Sequence, residues 1–348
     1  MIKEAFADAE ATVIIMSKKI VAFGEIMLRL SPENHILLKD ADTFSACYGG
    51  SESNVLVALT SLGDRTEYVS VIPDNDIGNG ALNHLRRLGV GTKHVLRTGD
   101  ALGMYFLEVG FGERPSKVIY NRRHAAITEI DSDALDYGAI LDGCALFHVC
   151  GISLALSDKC REAVMRLVRE ASSRSIPVSF DFNYRSKLWD TERAGECYRE
   201  IMPYVDICFG NAFDLGTFLG IDLGDTEASV RELFRRYGAK YLCFTEKRVI
   251  SSTEGERTGH IYAKRGDGTV THDSFGPCRF EILDRIGAGD SFCAGVLHVL
   301  IGGGDAERAV RYGTACCTLK HTLVGDILTL GESDIESFLS FKTKEVQR

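Results

Sequence analysis

Apolar and polar positions along this chain switch repeatedly between two periods. Residues 19–30 form a nearly continuous apolar run that reads as the first strand. Residues 53–62 then carry apolar side chains at helical spacing and stop at Gly63. Residues 68–71 read as a strand, and 76–88 as a helix stopped by Gly89. The exchange continues with a strand at 145–149. It is followed by a helix capped by Ser157, whose apolar face is Cys160, Ala163, Val164, Leu167, Val168 and Ala171. Further strands are expected at 178–181, 207–209 and 241–245, with helices near 191–204 and 230–237. Three more helices follow at 288–300, 306–319 and 333–341. This alternation predicts an α/β fold, a doubly wound, mainly parallel sheet with helices on both faces. Two stretches break the rhythm. Residues 31–48 and 102–120 are strand-like with no helix between strands, and 102–108 and 117–120 read as a hairpin around Gly110-Phe111-Gly112. Extra strands of this kind predict a small β-strand lid or a subunit contact.

Composition narrows the picture. A chain of 348 residues, 45% hydrophobic and 26% charged, suits one large globular domain. Its 49 acidic and 40 basic residues leave a net charge of −9, which argues against a nucleic-acid or anionic-membrane partner. An anionic substrate would therefore have to be met locally, by placed arginines and backbone amides. The eleven cysteines show no C-x-x-C pair and read as reduced thiols of a cytoplasmic protein, not as a zinc site or redox pair. The apolar patch at 11–16 is too short to span a membrane, and acidic residues precede it, unlike a signal peptide. The expected organisation is an extension over residues 1–18 outside the fold, one domain over 19–342 with lid strands from about 31–48 and 102–122, and a tail at 343–348.

Three segments carry candidate chemistry. In Gly287-Ala288-Gly289-Asp290, small residues at a helix start expose backbone N–H groups where the helix dipole favours an anion. Asp290 sits at the edge of that nest, placed to take a proton from a nucleophile attacking a bound phosphate. In Tyr48-Gly49-Gly50-Ser51-Glu52-Ser53-Asn54, paired glycines before a helix allow close approach of a polar ligand. Asp181-Phe182-Asn183-Tyr184-Arg185 follows a strand, at the end where open α/β sheets bind ligands.

Together, from about residue 20 to 341, these segments resemble the ribokinase-like, pfkB-type carbohydrate kinases. Gly49-Gly50 with Asn54 is similar to the first signature of that family, and Gly287–Asp290 to its second. Gly24-Glu25-Ile26-Met27, Arg114-Pro115-Ser116-Lys117, Leu188-Trp189, Lys320-His321-Thr322 and Gly325-Asp326 resemble the 2-keto-3-deoxygluconate kinase branch. The resemblance implies ATP-dependent transfer to the terminal 6-hydroxyl of 2-keto-3-deoxygluconate, as in Entner–Doudoroff metabolism. Asp290 would be the general base, and the amides of Gly287, Ala288, Gly289 and Asp290 the anion hole. It further implies sugar-acid contacts at Gly49, Gly50, Asn54, Tyr105, Tyr120, Arg122, Arg185 and Asp290. Nucleotide contacts are implied at Asn183, Arg185, Asn211, Thr245, Gly287, Gly289, Thr314 and Asp326. The implied cofactors are ATP and Mg2+, the metal touched at most indirectly through Asp214, with a monovalent cation such as K+ as an option. A homo-oligomer joined through the lid is the implied assembly. Three departures stand out. Arg285-Ile286 replaces the threonines usual before Gly-Ala-Gly-Asp, the usual Asn-x-x-Glu reads Asn211-Ala212-Phe213-Asp214, and Thr245-Glu246-Lys247-Arg248 lacks the glycine of Lys-x-Gly. A fructokinase or other hexose kinase, and a sugar-sensing protein without turnover, remain as alternatives.

Overall fold

The first strand, β1 (Lys19–Phe23), is buried on both faces and divides its side chains between two cores. Ile20 and Ala22 pack with Val55 and Leu56 of one helix and Val296 and Leu297 of another. Val21 and Phe23 pack on the opposite face with Val164, Leu167 and Val168. This is how a central strand in a helix–sheet–helix sandwich reads as an unbroken apolar run. The computed structural model describes residues 18–251 and 253–340. The extension expected at 1–18 thus lies outside the described residues except for Lys18, whose ammonium donates to the Ile301 carbonyl at 2.7 Å. The tail expected at 343–348 lies outside them as well.

The other strands are β2 (Met27–Ser31), β3 (Ser45–Gly49), β4 (Arg65–Ile72), β5 (Gly91–Arg97), β6 (Gly103–Glu108), β7 (Lys117–Asn121) and β8 (Cys144–Cys150). They are followed by β9 (Val178–Asp181), β10 (Ile207–Phe209), β11 (Tyr241–Val249), β12 (Glu254–Lys264) and β13 (Val270–Glu281). Nine form one sheet in the order β13-β12-β11-β10-β9-β8-β1-β4-β5. Every pairing from β11 to β5 is parallel, and only the β11–β12 and β12–β13 pairings are antiparallel. The expected doubly wound, mainly parallel sheet is present. A second sheet of four strands, β3-β2-β6-β7, forms the lid.

The structure corrects several boundaries. The run at 19–30 is two strands in two sheets. The main-sheet pairing ends where the Gly24 amide donates to the Val69 carbonyl, and a side chain at Gly24 would collide with Glu52. The chain turns there and enters the lid as β2. The stretch 31–48 is mostly not strand: a 3-10 turn, Leu38–Asp40, separates β2 from β3. Strands β5, β12 and β13 had no clear sequence signal, because each mixes charged with apolar residues, and β13 in addition exposes much of one face. The hairpin expected around Gly110–Gly112 is present as antiparallel β6–β7.

Helix caps are informative. Asn75, Asp136, Ser157, Asp190, Asn211, Asp225 and Asp305 each accept a first-turn amide at a helix start. The helices Ser51–Ser61 and Ala288–Ile301 begin instead with glycine, Gly50 and Gly287, and have no side-chain cap. These two helices are the ones whose N-termini meet at the cavity described next.

Candidate active site

A cavity of about 330 Å³ opens between the lid and the carboxyl-terminal end of the large sheet. A hollow of about 370 Å³ lies elsewhere, beside Lys18 and Tyr241, but two of its charged groups, Lys240 and Asp206, already pair at 2.8 Å. The first cavity gathers an acid in the first turn of a helix that has no side-chain cap, glycine amides and arginines.

Asp290 stands in the first turn of the Ala288–Ile301 helix and is held through both carboxylate oxygens. Ser51 Oγ donates to Oδ1 at 2.9 Å and Asn54 Nδ2 to Oδ2 at 2.7 Å. Asn183 Nδ2 donates to Ser51 Oγ at 2.9 Å, so β9 is wired to the same acid. Burial pushes the Asp290 carboxyl up to about 6; the hydrogen bonds from Asn54 and Ser51 and the charge of Arg185 oppose that shift. Asp181, at the end of β9, is pushed up to about 7 by burial first and then by the negative charges of Asp290 and Asp214. Near neutrality Asp290 is therefore largely ionised and basic, while Asp181 holds a proton part of the time. Asn183 adopts a left-handed backbone (φ 36°), and its amide donates to Asp181 Oδ1 at 3.1 Å. Asparagine tolerates that region better than most residues.

Gly287 also has a left-handed backbone (φ 79°), and any side chain there would run into the Asp326 carbonyl. A buried scaffold holds this turn. Arg29, on β2, bridges Asp284 and Asp326 at 2.7 Å each, and the Tyr105 hydroxyl donates to Asp326. Asp284 in turn accepts the amides of Ile286 and Gly325, both at 3.1 Å. The lid strands β2 and β6 are thereby tied to the two loops that shape the Gly287 turn.

Of the residues singled out in the sequence, Gly50, Asn54, Tyr105, Tyr120, Arg122, Asn183, Arg185, Gly287, Ala288, Gly289, Asp290 and Asp326 line this one cavity. Gly49 sits just behind it, where a side chain would strike the Asp326 carboxylate. Arg122 donates to Glu25, a fully buried acid on the Gly24–Ile26 turn. Arg185 is exposed and faces the same space. Four others lie apart. Asn211 and Asp214 spend their side chains on a capping box at the start of the Ala212–Leu219 helix. Thr314 is fully buried, and its hydroxyl donates to the Val310 carbonyl at 2.6 Å. Thr245 does not reach the cavity wall, but its hydroxyl accepts from Arg257, which does, at 2.8 Å. Sequence reasoning assigned no role to Ser51, Arg257 or Arg285, although all three line the cavity. Ser51 lies within the Gly-Gly segment and was discoverable there. Arg257 lies in a strand with no motif.

A profile of the pfkB family carbohydrate kinases matches residues 17–330. A 2-dehydro-3-deoxygalactonokinase from Haloferax volcanii is 33% identical over 325 residues, covering 93% of this chain and 97% of that protein. A 5-dehydro-2-deoxygluconokinase from Bacillus licheniformis is 27% identical and covers 90% of this chain and 94% of its own length. A solved 2-dehydro-3-deoxygluconokinase from Thermotoga maritima superposes with a TM-score of 0.88 at 35% identity, over 93% of this chain and 98% of that one.

Proposed function

Because the chain belongs to the pfkB family of carbohydrate kinases, we propose that it phosphorylates the terminal 6-hydroxyl of 2-keto-3-deoxygluconate with ATP, giving 2-keto-3-deoxy-6-phosphogluconate. One observation carries this reading. Asp290, an ionisable base near neutrality, shares a helix N-terminus with the uncapped amides of Gly287–Gly289 and faces a cavity that also holds Arg122 and Arg185. Asp290 takes the hydroxyl proton as the oxygen attacks the γ-phosphorus, and ADP leaves with the bridging electron pair. The amides meet the charge that develops on the transferring group. Ser51 and Asn54 aim the base, and Tyr105 and Tyr120 from the lid cover the sugar. Arg185 is the principal partner for the sugar carboxylate, with Arg122 beside it.

Magnesium would offset phosphate charge when it arrives with the nucleotide. Asp181, which lines the cavity, fits such an ion, since burial and the negative charges of Asp290 and Asp214 hold its carboxyl above its ordinary range, whereas Asp214 is committed to its capping box. A metal carried on phosphates needs few protein ligands. A monovalent cation does not fit equally well. Buried positive charge close to Asp284 and Asp326 is already supplied by the chain's own Arg29 and by the Lys320 ammonium, which donates to the Leu323 carbonyl at 3.2 Å. The exposed lid side chains Phe44, Ile119 and Phe111 suit a second copy of the chain, and light scattering of the purified protein would check for a dimer.

A neutral hexose is the second reading, and the Glu25–Arg122 pair favours it, because Glu25 already neutralises Arg122. The deciding experiment is coupled ADP release over 2-keto-3-deoxygluconate, its galactonate epimer and fructose. The keto acids should exceed fructose in kcat/KM at least tenfold. Preference for fructose installs the second reading, and sugar binding without ADP release would make the protein a sensor.

A further inference from the structure

Lys247 on β11 and Arg257 on β12 stand directly opposite each other in the antiparallel register. Like charges at that position repel. The next pair along, Arg248 and Glu256, is complementary and bonds at 3.2 Å, so the Lys247–Arg257 pairing is a local exception. Arg285 adds a third cation, and its guanidinium and the Lys247 ammonium are both disfavoured by burial and by the charge of Arg257. Arg257 also lines the cavity beside Gly287 and Gly289, where its Nε is buried without a hydrogen-bond partner among the described residues. A fold tolerates converging cations with an unsatisfied donor where an anion completes them.

We propose that Arg257, with Lys247 and Arg285, is a binding site for the non-transferred phosphates of the nucleotide. The inference rests on the kinase reading and extends it to Arg257, which no family signature covers, and to Lys247 and Arg285, which stand where this chain departs from the family's pattern. Two features favour a polyphosphate over the sugar carboxylate. The cluster brings up to three charges together, whereas a carboxylate needs one arginine fork. It also rises from β11, β12 and the loop that leads into the Gly287 turn, whereas Arg122 and Arg185 come from the lid and the segment after β9. Phosphates trailing from a γ-phosphoryl group on the Gly287–Asp290 amides would be held by it. It thereby supplies the charge that a Lys-x-Gly segment would otherwise bring.

The test is a calorimetric ladder on the full chain with adenosine, AMP, ADP and a non-hydrolysable ATP analogue, for the parent, Arg257→Gln and Lys247→Gln. Affinity of the parent should rise with phosphate number. Arg257→Gln should leave adenosine within twofold and weaken ADP and the analogue at least tenfold, with the sugar-acid KM within threefold. Lys247→Gln should show a smaller loss of the same kind. Its melting temperature should not fall, because the change relieves repulsion. An equal loss across the ladder would mean a structural role and overturn the proposal. So would no loss, or a loss confined to the sugar-acid KM. The ladder needs no turnover: phosphate-dependent binding without ADP release overturns the kinase reading alone, while a parent that binds none of the phosphorylated ligands overturns both.

Discussion

At the residue scale, the proposed chemistry converges on one carboxylate, Asp290, and the two side chains that bond it, Ser51 and Asn54. Asp290→Asn keeps the shape and one acceptor oxygen for the Ser51 and Asn54 donors. It should therefore melt within a few degrees of the parent while turnover falls roughly 10²–10⁴-fold, the range for loss of a general base. Single-turnover rates beside a melting curve check both halves. The pH profile follows from the raised carboxyl. Asp290 titrates near 6, so the base-competent form is present above that pH and is lost as pH falls through it. The acid limb of kcat/KM should accordingly bend near 6. Asn54→Ala removes a hydrogen bond that favours the ionised form, and the limb should move upward by roughly 1–2 pH units, the equivalent of about 1.5–3 kcal/mol. A limb that stays in place or moves down would remove Asn54 from that role.

At the element scale, the exceptional feature is a pair of helices that begin at glycine N-caps, without side-chain caps, and point at one space. A capping Asp or Asn at Gly50 or Gly287 would occupy the first-turn amides, as Asp305 does at Ala306–Lys320. Leaving them free keeps those amides available to a ligand. Gly289 gives a clean test of this. It is helical, and a methyl group there meets no atom within 4 Å. Replacing glycine with alanine inside a helix usually stabilises by about 0.5–1 kcal/mol. Gly289→Ala should thus melt at the same temperature or slightly higher, while the added methyl, standing at the proposed anion-hole amides, lowers kcat/KM for ATP at least tenfold. Thermal shift and steady-state kinetics on one preparation check it, and a variant as active as the parent would show that the phosphate does not approach those amides.

At the scale of the whole molecule, two sheets of unequal strength share the site. The central strands of the nine-stranded sheet, β1, β8, β9 and β10, are buried between helices on both faces. The lid has a small core of its own, Met27, Tyr105 and Leu107, and its edge strand β7 is largely exposed. Local opening follows from sparse apolar burial. Amides of residues 103–121 should exchange at least tenfold faster than those of β1 and β8, and 2-keto-3-deoxygluconate with a non-hydrolysable ATP analogue should slow them. Hydrogen-exchange mass spectrometry reads both. Equal protection with and without ligand would argue against lid closure over the sugar. Among the described residues no helix is long and apolar enough to cross a membrane, and all eleven cysteines are free.

What could be read from the sequence was whatever depends on local order. The Ser157 cap, the strands at 178–181 and 207–209, and the glycine-rich turn before Asp290 need only neighbouring residues, and they appear where expected. The fold class followed from their alternation. The site was half legible, because Gly50, Asn54, Arg185 and Asp290 lie in compact segments whose residue types announce their chemistry. Tertiary structure decided the rest. A strand buried on both faces looks the same whether or not it breaks at Gly24, so only packing against Glu52 shows that β1 and β2 belong to different sheets. Arg29 looks like any strand arginine until Asp284 and Asp326, more than 250 positions away, close around it. Arg257 acquires its place through the β11–β12 register, which no local pattern specifies. Thr314 lies outside the cavity wall for the same reason: its helix turns its hydroxyl toward Val310, and it packs beside Gly259. Short-range periodicity records which face of an element is apolar, but not which distant charges that element will meet.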